Sequence, residues 1–215
     1  MCGVPPRAVR PLESEPGDHG TVMNTPRHPD GRPVSPLLGD GEETAYGAPP
    51  CPVPHTAAEL AAVIGLVTGL ASRTGTVAVG HSRDTASRAA ATAFGTAWQE
   101  LGGEVVAVVD WPETAASWLR PARRLTAPAP DTWVVAAAPL GWIRMSRRLR
   151  HSTDWDPART VAFASLRDPR VPASAGPETL HGLRGATAEG GTWDIRRRWV
   201  TSHPAPEGGG TPWTR

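Results

Sequence analysis

Four short apolar runs, spaced by stretches of helical period, constrain this chain more than any other feature. They are Thr76–Val79, Glu104–Val109, Thr132–Ala137 and Val161–Ala164. Each has the length of a strand, and each is bounded by turn residues. Strands that alternate with helices build βαβ units, whose right-handed crossovers make the sheet parallel and place helices on both of its faces. The expected fold class is therefore α/β, an open parallel sheet covered on both sides. "EVVAVVD" (Glu104–Asp110) is apolar almost throughout, as suits a strand buried on both faces. "LHGLRGATA" (Leu180–Ala188) is a candidate fifth strand.

The intervening segments carry helix signals. Thr56 and Glu59 have the spacing of a capping box, and Leu60, Val63, Ile64, Val67 and Leu70 then fall on one helical face. Asp84 caps a second expected helix that runs to about Leu101 and buries Ala90, Phe94, Ala97 and Leu101. A third spans Pro112–Ala127, bent or restarted at Pro121, and "LGWIRMSRRLRH" is a fourth. Trp98 and Trp118 sit at core spacings within these helices.

The ends differ in composition. Residues 1–50 are rich in Pro, Gly and Asp, and are expected to be extended and mostly irregular. Residues 51–200 form a single α/β ligand-binding-like lobe, and 201–215 read as a disordered tail. The 215 residues suit one domain with loose ends. All 22 basic residues are Arg, and Trp occurs 9 times against 2 Phe and 1 Tyr. That bias dilutes the meaning of the Arg clusters at 120/123/124, 144/147/148/150 and 196/197/198, which read as solvated helix faces or docking faces. A formal net charge of +1 argues against a nucleic-acid partner. Cys2 and Cys51 lack CxxC or His spacing, so no metal site is expected; a Cys2–Cys51 bridge is the single pairing available. "LAAVIGLVTGLA" (Leu60–Ala71) is too short to span a bilayer. No apolar signal region precedes or follows Cys2, so the chain as written reads as cytoplasmic.

"GHSRD" (Gly80–Asp84) falls one glycine short of the nucleophile elbow G-x-S-x-G, because Asp84 stands where the second Gly belongs. Ser82 is thus weakly placed as a hydrolase nucleophile. Helix capping by Ser82 and Asp84 is the plainer reading. One glycine also falls short of a dinucleotide fingerprint, and no cofactor is expected.

Taken together, the pieces resemble one lobe of the type 1 periplasmic-binding-protein family, in particular the branched-chain amino-acid substrate-binding proteins of ABC transporters. "RPVSPLL" resembles the segment that ends the first lobe. The stretch from "APPCPVPHTAAEL" to "GGEVVAVVDW" resembles the opening of the second, "PAPDTWVVAAAPLGWIRMSRRLR" its next strand and helix, and "LHGLRGA" its return strand. The likeness covers about residues 32–190, the second lobe alone. It implies a non-enzymatic small-molecule-binding module, with a transporter permease or a second lobe from another chain as partner. The aromatic and acidic ligand contacts usual in the family are replaced here by Arg83–Ala86, Ala138–Pro139 and Leu166–Arg167, with Asp168 just beyond. An interaction domain that has lost its ligand is the alternative.

In a parallel sheet, ligands gather at the loops that follow the strands. The expected contacts are His81, Ser82, Arg83, Thr85, Trp111, Pro139, Trp142, Ser165 and Arg167. Helix starts near Asp84 and Leu140 favour a small polar or carboxylate ligand, with Arg83 or Arg167 as its charged partner.

Overall fold

A computed structural model describes residues 50–71 and 75–205. The expected irregular segment, apart from Pro50, and the tail beyond 205 lie outside the described residues. So does Cys2, while Cys51 is exposed and unbridged.

The elements are α1 (Ala57–Leu70), β1 (Thr76–Ser82), α2 (Thr85–Glu100), β2 (Glu104–Trp111), α3 (Leu119–Thr126), β3 (Thr132–Ala136), α4 (Pro139–Ser152), β4 (Thr160–Ala162), α5 (Arg170–Ala175), β5 (Arg184–Ala186), β6 (Thr192–Arg196) and β7 (Trp199–His203). One sheet holds the seven strands in the order β2-β1-β3-β4-β5-β6-β7. The first five pair in parallel and the last two are antiparallel. The α/β expectation is met, including the strand near Leu180–Ala188.

Sheet alternation divides the core in two. Val77, Val79, Val134, Ala136, Val161 and Ala186 face α1 and α2, where Val63, Val67, Phe94 and Trp98 close the layer. Ala78, Val135 and Ala162 face α3, α4 and α5, against a layer rich in tryptophan. The capping box forms as expected: the Glu59 N–H donates to Thr56 Oγ1 at 3.0 Å, and the Thr56 N–H donates to the Glu59 carboxylate.

The structure corrects four sequence expectations. β2 is an edge strand rather than a strand covered on both faces, and Val108 is 57% exposed. The third helix is confined to Leu119–Thr126, so Pro121 lies in its first turn, where a missing N–H costs nothing. Residues 112–118 form a loop instead. Trp98 fills the core place given to Leu101, which is exposed, because its indole N–H reaches the Gly75 carbonyl. Finally, Thr201–His203 belong to β7 rather than to a tail, as an antiparallel hairpin with β6 extends the sheet.

Gly185 lies where β5 passes closest to its neighbours. A Cβ there would run into the Ala162 carbonyl and the Trp193 ring. Gly185→Val is therefore expected to lose about 3 kcal/mol by overpacking. Gly95, inside α2, has open space around the same position, so Gly95→Ala is expected to gain about 0.5–1 kcal/mol from helix propensity. Urea denaturation of both variants checks the contrast; equal effects would refute the packing argument.

Candidate functional site

Reversal of strand order puts a switch point between β1 and β3, where loops diverge to opposite faces and ligands find a crevice in open α/β sheets. The structure brings most of the expected residues to this edge. His81 and Ser82 end β1, Trp111 ends β2 in register with Ser82, Pro139 and Trp142 open α4, and Ser165 follows β4. Most of them face inward. Ser82, Trp111 and Trp142 are fully buried, and the two indoles pack with centroids 6.1 Å apart. Pro139 is buried, and His81 Nδ1 lies 2.8 Å from the Ser82 carbonyl oxygen. The Ser165 hydroxyl donates to the Ala137 carbonyl at 2.9 Å. Thr85 and Arg167 are exposed. Arg83 is exposed as well, but its Nε donates to Asp110, whose carboxyl this contact holds below the usual range.

Ser82 is not disposed as a nucleophile. Its Oγ accepts the Ala138 N–H at 3.0 Å across the switch point and hydrogen-bonds the Glu113 carboxylate. The glycine of the near-elbow has another purpose: a Cβ on Gly80 would come within 2.7 Å of the Trp111 ring.

Glu113 is the residue that sequence reasoning missed. α4 starts after Ala138, which has no side chain able to cap it. The cap comes from the 112–118 loop instead, where Glu113 Oε2 accepts the Gly141 N–H at 2.7 Å. Gly141 permits the approach, since a Cβ there would lie 2.6 Å from Oε1. The loop is pinned at its backbone too. Arg144 Nη1 donates to the Glu113 carbonyl at 2.6 Å, Trp118 Nε1 donates to the Pro112 carbonyl at 3.2 Å, and the guanidinium stacks over the Trp118 ring at 5.3 Å. A helix start without Ser, Thr, Asp or Asn was the available signal in the sequence.

Carboxylates of this chain thus occupy the N–H groups that were expected to attract an anion. Asp84 Oδ1 accepts the Ser87 N–H at 2.8 Å at the start of α2. Glu59 Oε1, reaching over from α1, accepts the Ala164 N–H at 2.6 Å after β4. Those N–H groups are therefore not free to receive a carboxylate ligand, and a ligand at this edge would have to use other donors. Two acceptors are left over: Asp84 Oδ2 and Glu113 Oε1 are buried without a hydrogen-bond partner. Burial above all, with the nearby Asp84 charge, pushes the Glu113 carboxyl above its ordinary range, although Ser82 and Gly141 pull it back in part. The cavity lined by Ser165, Ser87 and His55 on the α1–α2 side measures about 30 Å³, room for about one water. Among the described residues no His, Cys, Asp and Glu cluster could hold a metal ion.

The raised Glu113 value means that the folded state holds this proton more tightly than the unfolded chain does. Its contribution to stability is complete below pH 4.5 and is lost as pH rises through the folded-state value. Glu113→Gln keeps an acceptor for Gly141 and carries no charge. Its stability relative to the parent is expected to be more favourable at pH 7 than at pH 4, measured by urea unfolding. A difference independent of pH would refute this placement of the charge.

No family model matches the chain, and no curated protein matches it. Solved structures do. One, described as a candidate branched-chain amino acid ABC transporter from Rhodospirillum rubrum, shares 21% identity at a TM-score of 0.52, over 61% of this chain and 37% of its own. A second of the same description, from Silicibacter pomeroyi, shares 18% at 0.50, over 60% and 34%. The chain spans little more than a third of these proteins, and likeness at this level of identity shows the fold: a periplasmic-binding-type α/β architecture.

Proposed function

We propose that this chain is a non-enzymatic small-molecule-binding module of the receptor-lobe type, whose ligand docks at the switch-point edge through an ammonium group. Two unpartnered acceptors near the switch point, Asp84 Oδ2 and Glu113 Oε1, support this reading. Each carboxylate is already fixed on a helix N-terminus by its other oxygen, so the pair is preorganised, and repulsion between the two charges is relieved by a cation. In the family that the sequence resembles, an acid after the fourth strand meets the ligand ammonium. Asp84 and Glu113 would supply that charge from the first and second loops. An amino acid is the ligand class that this reading and the descriptions of the structural neighbours share. A permease or a second lobe on another chain would be the partner. Among the described residues no helix is long and apolar enough to cross a membrane.

A second reading has an observation in its favour. Ser82, Trp111 and Trp142 are sealed in the core, and the cavity beside Ser165 is about 30 Å³. A lobe that has lost its ligand and serves as an interaction domain would look like this. The same titration separates the two.

One lobe buries a ligand from one side only, so affinity no tighter than about millimolar is expected. Calorimetry should give heat with amino acids and simple primary amines and none with acetate or propionate. Asp84→Asn and Glu113→Gln, which keep the caps, should each weaken amine binding about tenfold. Binding of carboxylates without amines would overturn the ammonium assignment. Silence with every amine would leave the interaction-domain reading standing.

A further inference from the structure

A second site lies at the other end of the sheet, away from the switch point. The hairpin β6–β7 carries its α1-side face out past the helix layer, and a groove of about 420 Å³ opens there between Leu66 of α1 and strands β5 to β7. Alternation puts Thr192, Asp194 and Arg196 on this face of β6, with Trp193 and Ile195 turned into the core. Register places Arg184 directly opposite Asp194 and His203 opposite Thr192.

The hydrogen-bond inventory of the groove is lopsided. Its single carboxylate is spent: Asp194 Oδ2 accepts from Arg196 Nε at 3.0 Å, and Oδ1 lies 2.9 Å from His203 Nε2. The groups left without partners are donors. The side chain of Arg184, a half-buried residue, makes no hydrogen bond or ion pair with any described residue, although it faces Asp194 across the ladder. His181 Nδ1 accepts the Arg197 N–H at 3.1 Å, so the ring proton sits on Nε2. The Thr192 hydroxyl adds a third donor. A guanidinium held off its neighbour and left unpaired in a half-buried groove calls for an oxyanion.

We infer that this groove binds a phosphomonoester. The donors that line it come from three backbone positions, the segment before β5, β5 itself and β6. A tetrahedral oxyanion offers acceptors in several directions and uses such a set more fully than a planar carboxylate. Two arginines stand around one carboxylate that is already paired, so the groove keeps a net positive charge that suits an anion. The volume exceeds what a bare phosphate fills, and Leu66 gives the remainder an apolar wall. The site shares no residue with the switch-point edge, so it stands or falls independently of the amine reading.

Titration of the full chain with phenyl phosphate, inorganic phosphate and benzoate, followed by thermal shift and calorimetry at constant ionic strength, tests the inference. Phenyl phosphate should bind saturably, about tenfold tighter than inorganic phosphate, and benzoate at least tenfold weaker than phenyl phosphate. Arg184→Gln should weaken phenyl phosphate at least tenfold, while Arg150→Gln, an exposed charge on α4 outside the groove, leaves it unchanged. If circular dichroism shows that Arg184→Gln disturbs the fold, Arg184→Lys takes its place. It keeps the charge, loses the two-point fork and should still bind at least threefold more weakly. Inorganic phosphate binding as tightly as phenyl phosphate would overturn the organic ester in favour of free phosphate. Benzoate binding equally well would overturn the phosphate class. No saturable binding, or binding indifferent to both Arg184 variants, would overturn the site.

Discussion

Three of the parallel strands, β1, β3 and β4, run into backbone N–H groups that need an acceptor, and the placement of those acceptors governs the rest of the site. A helix or turn that follows a strand begins with several unpaired N–H donors. In an open sheet they collect at one edge. Here the chain answers them itself: Asp84 at the start of α2, Glu113 at the start of α4 and Glu59 at the turn after β4. Only Asp84 is local to the element it caps. Glu113 and Glu59 are brought from 28 and 105 residues away in sequence, so these caps also tie loop to loop and α1 to β4. A charge-assisted bond of this kind is worth about 1.5–3 kcal/mol, which is large beside the stability of a domain.

The local cap was readable in advance and the distant ones were not. Asp84 and the Thr56–Glu59 box stand at fixed offsets from their helices, and offsets survive in a sequence. The four central strands, their parallel pairing and the first two helices were legible for a related reason: period and punctuation are local. Glu113 has no such signature. It belongs to a loop whose position depends on Pro121 falling in the first turn of α3, on Arg144 and on the absence of a Cβ at Gly141. Those are tertiary facts.

Two tryptophans carry the same lesson. Trp111 and Trp142 stand at the ends of the strands where the sequence places them, and of the two roles open to them there, lining a cleft or filling a core, the fold shows them buried. Position along the chain fixes which edge a residue approaches, while packing decides which way it turns. Gly80 gives Trp111 room to turn inward, and the ring of Trp142 then fits between Trp111 and Trp155, whose centroids lie 6.1 and 5.7 Å from it. The β6–β7 hairpin escaped notice because "IRRRW" reads as a charge cluster. Arg197, at a positive φ of 58°, makes the turn, and Trp199 lies exposed on the far strand.

β2 leaves a final consequence. Among the described residues it closes one side of the sheet, and no described strand pairs with its outer rim over Glu104–Trp111. Between Glu104 and Asp110 the sequence is "VVAVV", and Val108 stands largely in water. Soluble proteins usually guard such a rim with an inward charge, a proline or, above all, a lysine. This chain contains no lysine anywhere, so that gatekeeper is missing from its vocabulary. The rim is a ready template for a strand from another molecule. Such a rim favours edge-to-edge association at high concentration, with Val108 as its most exposed apolar side chain.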